Sequence, residues 1–215
     1  RKQNKGVRKI FDRKGKKQAT FWLERVTVAY DLSCALKYLH ELNIVYRDLK
    51  PDNIGFDVRG DVKIFDFGLA KEIDRESMSR DGTYNLTGDT GSPRYMAPEV
   101  ALNKPYNENV DVYSFAVLVF EMLALETPFS VYTTMKAFQN KVVRGGVRPK
   151  CSPKWPETIK NVLGRGWSSI ISNRPSMEEF SAVLRDEIAS LSDDYVGDDN
   201  DVSGKSLASL RNGSS

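Results

Sequence analysis

Three oxygen-bearing side chains stand where polar loops leave short apolar segments: Asp48, Asn53 and Asp66. Two carboxylates and an amide so placed can converge beside one cleft as oxygen ligands. Lys50 lies between the first two, and Arg47 directly precedes Asp48. Taken singly, each Asp or Asn reads as a turn former. Other chemistries have little to stand on. The chain has one histidine, His40, so a Ser-His-Asp or Cys-His mechanism would rest on that residue alone, and it reads as a packing or surface residue of a helix. Its two cysteines, Cys34 and Cys151, are far apart, which fits reduced thiols better than a disulfide framework or a zinc site.

The elements that must position these residues are mostly helical. Val28, Leu32, Ala35, Leu36 and Leu39 follow the spacing of one helix face over Phe21 to Leu42, and Asn43 ends that helix. Ile44 to Tyr46 is a short strand candidate that leads into the charged turn from Arg47 to Asn53. Ile54 to Phe56 and Val62 to Phe65 are joined by Asp57-Val58-Arg59-Gly60-Asp61, the turn chemistry of a hairpin. Residues 71 to 94 are rich in Ser, Thr, Gly and Asp and read as an extended loop, of a length that compact domains keep for functional reasons. Helices are expected from Asn109 to Leu125, where apolar residues run nearly all round, from Thr134 to Arg144, from Pro156 to Trp167, and from Ser176 to Leu191. Ser176-Met177-Glu178-Glu179 has the pattern of a capping box. The expected fold is mainly α with a small β-hairpin.

Charge divides the chain. Residues 1 to 25 hold ten Lys and Arg against Asp12 and Glu24, whereas residues 191 to 215 carry Asp193, Asp194, Asp198, Asp199 and Asp201 among Ser and Gly. Residues 1 to 20 read as a basic linker or partial helix, 21 to 191 as the folded domain, and 192 to 215 as an acidic, disordered tail. The basic head has a single aromatic, Phe11, before Phe21-Trp22, which disfavours nucleic acid as a partner. Apolar runs such as Phe115 to Phe120 are too short to span a bilayer, and the head resembles no secretion signal, so a cytoplasmic location is expected. With no initial Met, the chain is expected to begin mid-protein.

Tyr46-Arg47-Asp48-Leu49-Lys50-Pro51-Asp52-Asn53 resembles the catalytic loop of eukaryotic protein kinases, Asp66-Phe67-Gly68 resembles their metal-binding motif, and Ala97-Pro98-Glu99 the end of their activation segment. Asp111 within an apolar helix and Arg174 in Asn173-Arg174-Pro175 extend the likeness over Phe21 to Leu191. The resemblance implies ATP-dependent phosphorylation of protein Ser/Thr residues, with ATP and Mg²⁺ as cofactors and a protein with a Ser/Thr acceptor as substrate. It implies that Asp48 orients or accepts the hydroxyl proton, Lys50 stabilises the transferred group, and Asn53 and Asp66 hold magnesium. Arg47 would pair with a phosphate on the activation segment, with Thr87 and Thr90 the nearest acceptors. Ser92 would lie near the base, Glu99 would pair with Arg174, and Asp111 would anchor the catalytic loop by accepting its backbone N–H groups.

The Asp-Leu-Lys-Pro-x-Asn form is similar to serine/threonine kinases, and Gly91 to Glu99 with Asp111 to Phe115 are most similar to the tyrosine-kinase-like group. Tyr46 stands where the family usually has His. Gly55 stands where it places an aliphatic floor under adenine, and Phe65 on the neighbouring strand is bulkier than its position requires; the ring is expected either to fill the space at Gly55 or to point into the core. Before Phe21 there is no Gly-rich loop and no strand Lys, so the expected fold is the C-terminal lobe of the α+β protein-kinase-like fold with the N-lobe absent and encoded upstream. The alternative is a catalytically incompetent kinase-like interaction module or a truncated fragment.

Overall fold

No proline interrupts residues 3 to 41, and they form one helix, α1 (Gln3–Glu41). A computed structural model describes the backbone of residues 3–198 and the side chains of residues 18–191. The helix starts well before Phe21, because the Lys-, Arg- and Gln-rich head is built largely from good helix formers. Its most buried stripe is Val26, Ala29, Leu32, Ser33 and Leu36, with Val28, Ala35 and Leu39 half-buried at the flank. Asn43, in the left-handed conformation at φ 59°, ends the helical run.

Four short strands follow: β1 (Ile44–Val45), β2 (Ile54–Phe56), β3 (Val62–Ile64) and β4 (Lys71–Glu72). The hairpin of β2 and β3 is antiparallel with Gly55 opposite Lys63, and the ladder continues one step to a bond from Phe65 N–H to the Asn53 carbonyl (2.8 Å). A second antiparallel pair joins β1 to β4, Ile44 opposite Glu72. Residues 71 to 94 are therefore not simply an extended loop. They carry β4, a 3₁₀ turn at Arg75–Ser77, and a bridge between Tyr84 and Tyr106, with Ile73, Thr83 and Tyr84 buried. Strands of two residues are too short for alternation to show, so polarity alone suggested a loop.

The remaining helices are α2 (Pro98–Ala101), α3 (Asn109–Ala124), α4 (Met135–Phe138, continued by a π turn over Gln139–Arg144), α5 (Glu157–Gly166) and α6 (Met177–Asp198). The core gathers around α3, whose Val112, Phe115, Ala116, Val117 and Val119 are fully buried. Ala116 lies against Gly166, where a Cβ would come within 2.7 Å of the alanine methyl, so that glycine permits the close approach of α5 to α3. Arg25 of α1 donates from Nη1 to the Leu123 carbonyl (3.0 Å), satisfying the C-terminal end of α3. Along α6, Glu187 accepts from Trp22 Nε1 (3.0 Å) and Glu178 from Lys37 (3.3 Å). Ser176 caps α6 by accepting from Glu179 N–H (3.1 Å). The helix runs past Leu191 to Asp198, since no glycine or proline interrupts Met177 to Val196; the rest of the acidic tail lies outside the described residues.

Candidate active site

The loop between β1 and β2 is held from below by one carboxylate. Asp111, fully buried in the first turn of α3, accepts from the N–H groups of Tyr46 and Arg47, at 2.8 Å each, and from His40 Nε2 at 2.9 Å. Beside an acceptor-only carboxylate the imidazole nitrogen must donate. Three hydrogen bonds make burial of this charge tolerable. They also help hold Arg47 at φ 71°, a conformation uncommon outside glycine, which turns the loop toward the cleft.

Asp48 is the centre of the resulting cluster. Its Oδ2 accepts from Lys50 Nζ (2.8 Å) and Asn53 Nδ2 (3.0 Å), its Oδ1 from Ser92 Oγ (2.9 Å), and Asn53 Nδ2 also donates to the Asp48 carbonyl (2.9 Å). Burial pushes the Asp48 carboxyl up, but the bonds from Lys50, Ser92 and Asn53 outweigh it and hold it below the usual carboxylate range. Lys50 is raised, chiefly by its bond to Asp48, with Asp52 and Asp66 adding to the field. The arrangement keeps a negative carboxylate and a positive ammonium locked together at neutral pH.

Gly91 brings the activation segment onto this loop. At φ 103°, a Cβ there would stand 2.4 Å from the Arg47 carbonyl, so the segment can approach only as glycine. Farther along, Glu99 and Arg174 form a buried two-point pair, at 2.5 and 2.9 Å, and the guanidinium also donates to the Asn109 carbonyl and lies over the Tyr113 ring. The end of the segment is thereby tied to α3 and to the turn before α6.

Above the loop the groups are exposed. Asp66, at φ 55°, accepts from Gly68 N–H through Oδ1 (3.0 Å) and otherwise faces outward. Phe65 is 51% exposed, which rules out the reading in which its ring points into the core. It lies instead diagonally across the hairpin over Gly55, where an added Cβ would meet the ring edge at 2.7 Å. Tyr46 explains itself here as well. Its buried ring packs edge-to-face on Phe67 at 5.4 Å, and its hydroxyl donates to the Phe65 carbonyl at 2.5 Å. Burial, countered only in part by a bond with Asn53, pushes that phenol up to about 12, so it stays protonated.

Of the residues singled out from sequence, Asp48, Lys50, Asn53 and Ser92 meet directly, and Asp66 lies one ladder step from Asn53. Thr87 and Thr90 do not touch the Arg47 side chain: Thr90 Oγ1 donates to the Gly88 carbonyl (3.0 Å), and Thr87 is exposed. Sequence reasoning missed three members. His40 falls four residues after Leu36 on the buried face of α1, a spacing that could have flagged it. The Tyr46 hydroxyl and Tyr106, which accepts from Arg47 Nη1 (3.1 Å), meet partners too distant in sequence to leave a local signal.

Comparison with known proteins places the chain among relatives. The chain is 42% identical over 147 residues to cAMP-dependent protein kinase type 3 of Saccharomyces cerevisiae, covering 67% of this chain and 34% of that protein. It is 37% identical over 157 residues to dual specificity protein kinase shkB of Dictyostelium discoideum (73% of this chain, 23% of that one). Serine/threonine-protein kinase STY17 of Arabidopsis thaliana is 36% identical over 186 residues (86% and 31%). The chain thus spans between 23% and 34% of the length of these relatives. The protein kinase domain family matches residues 6–184, and the chain belongs to that family.

Proposed function

We propose that this chain supplies the C-lobe of an ATP-dependent protein serine/threonine kinase of the tyrosine-kinase-like group, acting in the cytoplasm, with an N-lobe expected upstream. The observation that carries the reading is the Asp48 cluster, in which a serine hydroxyl, Ser92 Oγ, already donates to the carboxylate that would orient a substrate hydroxyl. An acceptor Ser or Thr exchanging for Ser92 at Oδ1 would be aligned by the same bond, and Lys50 beside it would meet the charge of the moving phosphoryl group. The low carboxyl favours orientation over complete proton removal, since a carboxylate so stabilised is a weak base.

Asn53 and Asp66 suit magnesium. They offer an amide carbonyl and a carboxylate, both hard oxygens, and the Asn53 amide turns its nitrogen to Asp48, which leaves its carbonyl oxygen on the other side. Two protein oxygens are what this ion ordinarily takes, the remainder coming from phosphates and water, and when bound it neutralises charge on the phosphates. Phe65 over Gly55 would give adenine an aromatic floor in place of an aliphatic one. Residues 1–215 alone are expected to bind MgATP weakly, because a single lobe offers one wall of the cleft; micromolar affinity by calorimetry would contradict this. The main test is transfer of labelled phosphate from ATP to Ser/Thr peptides by the full-length protein. Retention of transfer in Asp66→Asn, folded by circular dichroism, would refute the reading.

A further inference from the structure

Arg47 carries a guanidinium that no carboxylate approaches within 4.0 Å among the described residues, yet the side chain is fixed. Its Nε donates to the Leu69 carbonyl at 2.6 Å and its Nη1 to the Tyr106 hydroxyl at 3.1 Å. That hydroxyl in turn donates to the Thr87 carbonyl at 2.7 Å. Tyr106 is fully buried, and its backbone exchanges two hydrogen bonds with Tyr84, at 2.8 and 3.1 Å. Four separate stretches are therefore joined through the Arg47–Tyr106 pair: the catalytic loop and, through Arg47 Nε, the residues just after Asp66-Phe67-Gly68; the middle of the activation segment and, through the phenol, the connection from α2 to α3.

We propose that Tyr106 is a positioning residue that orders the activation segment through a neutral Arg47–Tyr106–Thr87 relay, so that the segment holds its place without a phosphate on Thr87 or Thr90. A phosphate would join Arg47 to the segment through charge; here a buried hydroxyl accepting from the arginine and donating to the segment backbone makes the same connection. Around it the backbone is pinned independently of any modification, with Asp89 N–H donating to the Val100 carbonyl (2.8 Å) and Gly88 seated against Asn103, where a Cβ would fall 2.3 Å from the amide oxygen. Removing the hydroxyl would take from the Thr87 carbonyl its shorter hydrogen bond, leaving the 3.3 Å one from Thr90 Oγ1, and would leave an arginine N–H without its partner. The proposal rests on the kinase reading only for the name of the segment.

Hydrogen exchange followed by mass spectrometry tests it without any assay of activity. The full-length protein is treated with phosphatase until its intact mass shows no phosphate. Residues 84–91 should remain protected in this form. Tyr106→Phe should speed their exchange by about tenfold while residues 110–123 of α3 are unchanged, the size expected for loss of one buried hydrogen bond. Arg47→Lys, which keeps the cation but not the two-point geometry, should speed the same residues, and Thr87→Ala, which removes only an exposed hydroxyl, should not. In the full-length kinase, Tyr106→Phe should lower kcat more than it raises the KM for ATP. Exchange of residues 84–91 at unprotected rates in the phosphate-free wild type would overturn the proposal, as would rates within twofold of wild type in Tyr106→Phe. If Tyr106→Phe fails to fold, as loss of α3 protection would reveal, the phosphate-free wild type and Arg47→Lys decide in the same two directions.

Discussion

The two sides of the catalytic loop are built on opposite terms. Below it, Asp111 and the Glu99–Arg174 pair are buried and fully partnered inside the chain. Above it, Phe65, Asp66 and Phe67 stand exposed on the rim of the hairpin. Charges on the lower side are spent on geometry: they meet N–H groups and a guanidinium, and they have nothing left for a ligand. Those on the upper side keep acceptor capacity and apolar surface open. The difference separates residues whose loss should unfold the domain from residues whose loss should silence a folded one.

The sharpest way to break that contrast is to cut the lower side. Arg174→Ala strands Glu99 in a buried site, and the cost should be about 3 to 5 kcal/mol, whereas replacing both partners by leucine should cost much less. Urea unfolding of wild type and both variants checks this; equal losses would mean that the pair contributes by packing alone. At the junction of the two sides, Asp48→Asn should lower kcat of the full-length protein by about 10² to 10⁴ with only a small fall in the unfolding midpoint. Peptide phosphorylation and urea titration on the same preparation read both quantities. A large drop in stability would place Asp48 with the anchors.

The same divide governs what could be read from sequence. The helices over 109–124 and 177–191 and the hairpin were legible from local signals: an apolar run longer than a strand, a capping-box pattern and a turn-forming connection. The meeting of Asp48, Lys50 and Asn53 was legible because the three lie within one short polar stretch. Long-range polar pairings left no such trace: Tyr106 meets Arg47 59 positions away, and His40 meets Asp111 71 positions away. Backbone pairing was equally silent, so β4 and the Tyr84–Tyr106 bridge lay hidden in a segment whose composition suggested a loop. For the head, read as a basic linker or partial helix, charge density left the choice open although the run has no helix breaker stronger than glycine, and it is helical from Gln3.

A smaller effect sharpens the picture of the rim. The backbone at Gly55 is not left-handed, so its glycine answers to space, and that space is taken by the Phe65 ring. Gly55→Leu should lower ATP affinity of the full-length kinase by about 1 to 3 kcal/mol through overpacking, and Phe65→Ala in the same chain should restore much of it. Calorimetric titration of the two single variants and the double variant gives the coupling. Additive losses would show that ring and glycine act separately, and the aromatic floor would then have no basis.

The smallest expected effect lies at the junction of the two sides, in the acid limb of the pH profile. Asp48 is held low because the bonds from Lys50, Ser92 and Asn53 together exceed the upward push of burial. Its folded value is depressed, so its contribution to stability is complete above the unfolded carboxylate value and is lost as pH falls through the folded one. Lys50→Met removes the leading downward influence and leaves burial in place, so the Asp48 carboxyl should rise. The acid limb of kcat/KM should therefore move to higher pH, and the stability lost on acidification should be smaller and complete at higher pH, its onset being set by the unfolded carboxylate. Peptide kinetics and urea midpoints across the acid range measure the two shifts separately. Should the kinetic limb move while the stability limb stays, Lys50 would be acting on the bound phosphates and not through Asp48; if both move together, the ammonium sets the charge state of the carboxylate it touches.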